Sequence, residues 1–72
     1  MPHIAITMFP GRDATVKMQL AQKVQALFVT ELGLDPKVVS VSIEDIPVED
    51  WPRSMEKFSS DILFVKPGNA AD

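Results

Sequence analysis

Pro2, Arg12 and Trp51 are the residues of this 72-residue chain whose types and places could carry chemistry. Pro2 stands directly behind Met1. With Met1 removed, Pro2 becomes a secondary amine that no other position could provide. With Met1 in place, it is a stiff peptide unit that cannot donate a hydrogen bond. A free α-amino group has a reference pKa of about 7.7–8.0, which burial beside apolar groups or a nearby guanidinium would lower. An amine partly unprotonated at working pH is what a general base requires. The proline ring also holds that nitrogen rigidly. Against this stands the plainer reading, in which Pro2 only begins an edge strand. Arg12 can anchor a carboxylate through a bidentate pair, or simply be solvated. Trp51 can wall a pocket for a flat substrate or plug a subunit interface. His3 is either a strand residue at a surface or interface, or a participant in catalysis.

Other chemistries lack their residues. There is no cysteine, which removes disulfides, thiolate metal sites and a cysteine nucleophile. A single histidine rules out an imidazole-based metal cluster within one chain. No Gly-x-Ser-x-Gly motif accompanies it, and glycines at 11, 33 and 68 are too far apart to cradle a phosphate. Glu44, Asp45, Glu49 and Asp50 cluster around Pro47 without calcium-loop spacing, so they read as a solvated acidic loop. No metal or cofactor is expected.

The elements that must position these residues follow from hydrophobic period. "HIAITMF" (3–9) alternates, with Ile4, Ile6 and Met8 on one face and His3, Ala5 and Thr7 on the other, which is a strand. "PGRD" breaks it, and Asp13 is placed to cap a helix over 14–32 that Gly33 ends. Leu20, Val24, Leu27, Phe28 and Leu32 form the apolar stripe of that helix. Residues 38–44 predict a second strand, with Val39, Val41 and Ile43 opposite Val38, Ser40 and Ser42. Strand, helix, strand at this spacing is a βαβ unit with parallel strands, an α/β fold. Met55, Phe58, Ile62 and Val65 recur at helical steps, giving a short helical region over 52–66, although "DILFV" also suits a strand. A polar tail follows over 67–72.

Two strands make a poor sheet, because three or more are usually needed for independent stability. A chain this short also buries only about 60% of the surface its unfolded form exposes. Oligomerisation is the remaining remedy. A net charge of −3, with scattered Lys and Arg, argues against nucleic acid or an anionic membrane surface as partner. No apolar stretch approaches a membrane span and no signal peptide is evident. The expectation is a soluble, cytoplasmic, self-associating domain.

Pro2 behind the initiator, a short strand, "PGRD", a long helix, "VSVSIEDI" and the ring at Trp51 together resemble the 4-oxalocrotonate tautomerase family. "MPHIAITMFP", "SVSI" and "KPG" are most similar to its small dimeric bacterial branch, assayed with phenylpyruvate. The resemblance spans nearly the whole chain as one domain, residues 1–72. It implies a four-stranded sheet completed by dimerisation, with both long helices on one face, in a homodimer or higher homo-oligomer. It also implies a tautomerase of 2-oxo acid enols without metal or cofactor. Pro2 would be the acid–base group, Arg12 the carboxylate anchor and Trp51 a pocket wall. One departure stands out: Ser40 occupies the position of the second arginine that dicarboxylate-specific members use. Poor activity on a diacid is expected, with better activity on a mono-acid, unless Arg53 compensates. The alternatives are a decayed, non-catalytic dimeric binding module, or a proline-dependent dehalogenase or decarboxylase.

Overall fold

The computed structural model describes residues 1–68 as β1 (His3–Met8), α1 (Ala14–Leu32), β2 (Ser40–Asp45) and α2 (Trp51–Met55), with 3-10 turns at Pro36–Val38 and Val48–Asp50. β1 and β2 pair in parallel, with His3 opposite Ser40, Ala5 opposite Ser42 and Thr7 opposite Glu44. This is a βαβ unit whose helix forms the crossover between two parallel strands.

Local chemistry sets the limits of α1. The Asp13 side chain accepts from the Val16 amide at 2.9 Å, satisfying one of the donors that a helix start leaves open. Gly33 ends the helix at φ 64°, a left-handed conformation that a residue with a Cβ adopts only at a cost. Two side chains then fix how the helix lies on the sheet. Lys17, in the first turn, reaches Asp45 at the end of β2, with Nζ to Oδ2 at 2.8 Å. Gln25, two turns on, donates to the carbonyls of Pro36 and Val39 at the start of β2, each at 3.1 Å. The helix therefore runs antiparallel to the strands. Val41 and Ile43 face it across a groove shared with Ala14, Met18 and Ala21. His3, Ala5, Ser40, Ser42 and Glu44 are exposed on the opposite side of the sheet, where only Thr7 is half-buried.

The core of one chain is small. Only Val39 and Ile46, at 5% and 8% exposure, are buried among the described residues, and they bracket β2. The apolar stripe of α1 is only partly covered. Leu20, Val24 and Phe28 are half-buried, whereas Leu27 and Leu32 remain 55% and 60% exposed.

Two expected segments differ from the structure. The strand expected from residue 38 begins at Ser40. Asp35 caps the Lys37 amide at 2.9 Å and Pro36 favours a turn, so Pro36–Val38 winds into a 3-10 helix first. The helix expected over 52–66 stops at Met55. Beyond it the bonds step back three residues, from Phe58 to Met55 and from Ile62 to Ser59, in successive turns. Ser59, Ser60 and Asp61 compete for backbone groups there, and so short a helix propagates poorly without a packed face. Ile62, Phe64 and Val65 are exposed rather than packed. The polar tail expected over 67–72 lies, beyond Gly68, outside the described residues.

Candidate active site

Pro2 is half-buried at the mouth of β1, and its carbonyl accepts from the Ser40 amide at 3.3 Å. That bond extends the parallel ladder one step before the strand proper. It sets Pro2, His3 and the start of β2 side by side. His3 and Ser40 are direct partners across the strands, so their side chains leave the sheet on the same face. His3 Nδ1 lies 2.7 Å from Ser40 Oγ and Nε2 lies 2.9 Å from Ser42 Oγ. Both ring nitrogens are thus engaged by hydroxyls of the neighbouring strand, two residues apart.

The other candidates gather at the opposite end. Trp51 begins α2 and meets Phe9, just past the end of β1, edge to face, with ring centroids 5.0 Å apart and planes at 80°. Such T-shaped pairs set the positive edge of one ring against the negative face of the other. Two backbone steps bring the rings together. The Ile46 amide donates to the Met8 carbonyl at 2.8 Å, and the Pro47 carbonyl accepts from Asp50 at 2.9 Å, turning the chain back toward Phe9. Arg12 follows Gly11, whose φ of 135° suits a residue without a Cβ. Its guanidinium is exposed and forms no ion pair among the described residues. Arg53 turns instead to Asp50, at 3.6 Å, in a mostly solvated pair.

The candidate residues of one chain therefore fall into two groups, one at each end of β1. Six strand residues at about 3.3 Å each span about 20 Å, so Pro2 and Ser40 do not meet Arg12 or Trp51 within a chain. Of the four residues singled out in the sequence, Pro2 and Ser40 come together, Trp51 lies with Phe9, and Arg12 joins the latter end. Phe9 was not singled out, although its place at a strand end before Pro10 is a usable signal. A separate cleft of about 360 Å³ is lined by Glu44, Asp45, Asp50, Arg53 and Lys57, and contains none of those four. Among the described residues no three His, Cys, Asp or Glu side chains gather as a metal set. No helix there is long and apolar enough to cross a membrane.

A family model described as "Tautomerase enzyme" matches residues 2–58, from Pro2 past α2. The chain belongs to the tautomerase family. It is 43% identical over 51 residues to a probable tautomerase of Xylella fastidiosa (strain 9a5c), covering 71% of this chain and 62% of that protein. The chain thus matches less than two thirds of that relative's length. It is 37% identical over 51 residues to the probable tautomerase RSp1151 of Ralstonia nicotianae, covering 71% of this chain and 78% of that protein.

Proposed function

We propose that this tautomerase-family protein interconverts keto and enol forms of 2-oxo mono-acids without metal or cofactor, using the Pro2 amine as general acid and base once Met1 is gone. The observation that supports this best is the pair of half-sites: an amine position at one end of β1, a guanidinium and an aromatic wall at the other. A twofold dimer that sets the strands of two chains antiparallel would bring the Pro2 end of each chain to the Arg12 end of its partner. Each isologous contact would then build two identical sites. Such a dimer would also cover apolar side chains that one chain leaves open, among them Leu27, Leu32 and Phe9. It would extend the two-stranded sheet to four strands.

In that site the Arg12 guanidinium would hold the substrate carboxylate in a bidentate pair. Trp51, steadied by Phe9, would pack against the flat body of the substrate. In the keto-to-enol direction the Pro2 nitrogen would take the proton from the carbon next to the carbonyl. The C–H pair would become the C=C bond as the carbonyl π pair moves onto oxygen, and the nitrogen would then hand that proton to the oxygen. Ketonisation is the reverse. Acid–base catalysis of this kind contributes about 10²–10⁴-fold. Ser40 in place of a second cation favours a mono-acid over a diacid, since a hydroxyl binds a carboxylate less strongly than a guanidinium does.

The test is the ketonisation of phenylenolpyruvate followed by absorbance. Protein shown by intact mass to lack Met1 is compared with a Pro2→Ala variant. Near-complete loss of rate in the variant is expected. Equal rates in both, no faster than buffer, would sink the catalytic role of Pro2 and favour a binding module of the same fold.

A further inference from the structure

The imidazole of His3, bridging Ser40 and Ser42, has a geometry with a direction. A neutral imidazole carries one N–H and one lone pair, so it donates to one of its two serines and accepts from the other. Which serine does which decides where a free hydroxyl proton remains. If Nδ1 carries the hydrogen, His3 donates to Ser40 Oγ, and Ser42 donates its own hydroxyl to Nε2. The Ser40 O–H is then left unspent on the open sheet face, beside the start of β1 where Pro2 lies. If Nε2 carries the hydrogen, Ser40 spends its proton on the ring and has none to offer. Ser40 rather than Ser42 is bonded through its backbone to Pro2, so a donor at Ser40 is the one that lies at the Pro2 end of the sheet.

Building on the tautomerase reading above, we propose that Ser42, His3 and Ser40 form a one-way hydrogen-bond chain that presents the Ser40 hydroxyl as a donor to the carbonyl oxygen of a 2-oxo acid. His3 and Ser42 are positioning residues in this chain, and Ser40 is the group that touches substrate. As the proton leaves carbon for the Pro2 nitrogen, the C–H pair becomes the C=C bond and the carbonyl π pair moves onto the C2 oxygen, which becomes negatively charged. A donor aimed at that oxygen stabilises the enolate more than the ketone, so it acts on the rate. Hydrogen bonds aligned head to tail polarise one another, so the Ser40 O–H is a stronger donor with His3 behind it than alone. The chain also supplies the substrate oxygen with a partner that the two arginines, Arg12 at the far end of β1 and Arg53 on Asp50, do not provide within the same protomer.

The test uses Met1-free protein and two readouts. First, the ¹⁵N spectrum of the His3 ring should show the Nδ1–H tautomer; an Nε2–H tautomer would overturn the proposal. Second, kcat for phenylenolpyruvate should fall about 10-fold in Ser40→Ala, as expected for loss of one donor to a developing charge. It should fall similarly in His3→Gln, whose amide reaches toward the Nε2 position. His3→Asn, whose amide N–H falls near Nδ1, should retain most of the rate. Thermal melts of each variant would separate loss of fold from loss of the donor. A His3→Gln variant as active as His3→Asn, in protein where Pro2→Ala is inactive, would overturn the chain while leaving the tautomerase reading intact. Full activity in Pro2→Ala would overturn the tautomerase reading itself.

Discussion

Mixing two inactive variants should restore activity, because the two half-sites lie at opposite ends of β1. Take Pro2→Ala chains and Arg12→Ala chains. The first lose the amine, and the second lose the carboxylate anchor. A charge-assisted bidentate pair contributes about 1.5–3 kcal/mol, so Arg12→Ala should lower kcat/KM about 10- to 100-fold. The strand between the half-sites spans about 20 Å, too far for one chain to close a site around a small acid. A site built from two chains has a consequence for a mixed dimer. One of its two sites takes Pro2 from the Arg12→Ala chain and Arg12 from the Pro2→Ala chain, and is intact. The other lacks both. Random reassortment gives heterodimers in about half the population, so the mixture should recover about one quarter of wild-type kcat/KM. The assay is phenylenolpyruvate ketonisation before and after subunit exchange, with heterodimers verified by native mass spectrometry. Verified heterodimers without any gain over the separate variants would refute the composite site. The amine and the guanidinium would then have to act within one chain, against the length of β1.

Two further expectations concern the scaffold. Asp13→Ala removes the cap on the Val16 amide and should cost about 1 kcal/mol, while Asp13→Asn should keep most of it; urea midpoints at fixed protein concentration measure both. Ile46→Ala empties one of the two buried positions at the end of β2, and should cost about 2–4 kcal/mol in the same experiment.

Apolar residues that one chain leaves open are the common thread between fold and site. Phe64 is 91% exposed, and Leu27 and Leu32 border a small apolar cleft with Phe28. A protomer with two buried side chains and this much uncovered apolar surface is short of burial at about 25 cal/mol per Å². The same shortage was legible in the chain length and the missing cysteines. Assembly would answer the stability problem and the site problem with one interface.

Local order was legible because it is written in neighbouring residues. Alternation in "HIAITM", the three- and four-residue steps from Leu20, and Asp13 and Gly33 at the ends of the helix each depend on contacts a few residues apart. The same nearness explains why Pro2 could be singled out: its chemistry as an amine needs nothing but its position behind Met1. The helical region expected over 52–66 forms only as the short α2, Trp51–Met55, for the opposite reason. Helical spacing at Phe58, Ile62 and Val65 forms a helix only if the stripe has something to pack on, and one chain offers nothing. Parallel register is likewise a long-range fact. Nothing in the spacing of His3, Ser40 and Ser42 says that a strand shifted by no residue would put one imidazole between two hydroxyls. Only pairing across 37 and 39 residues of chain decides it. An extended β1, about 20 Å long, likewise separates Pro2 from the turn that carries Arg12, although ten positions of sequence make them look like neighbours. The sequence determined which groups could react and which elements hold them. Tertiary structure alone decided which of those groups meet, because an extended strand turns a short interval of sequence into a long distance.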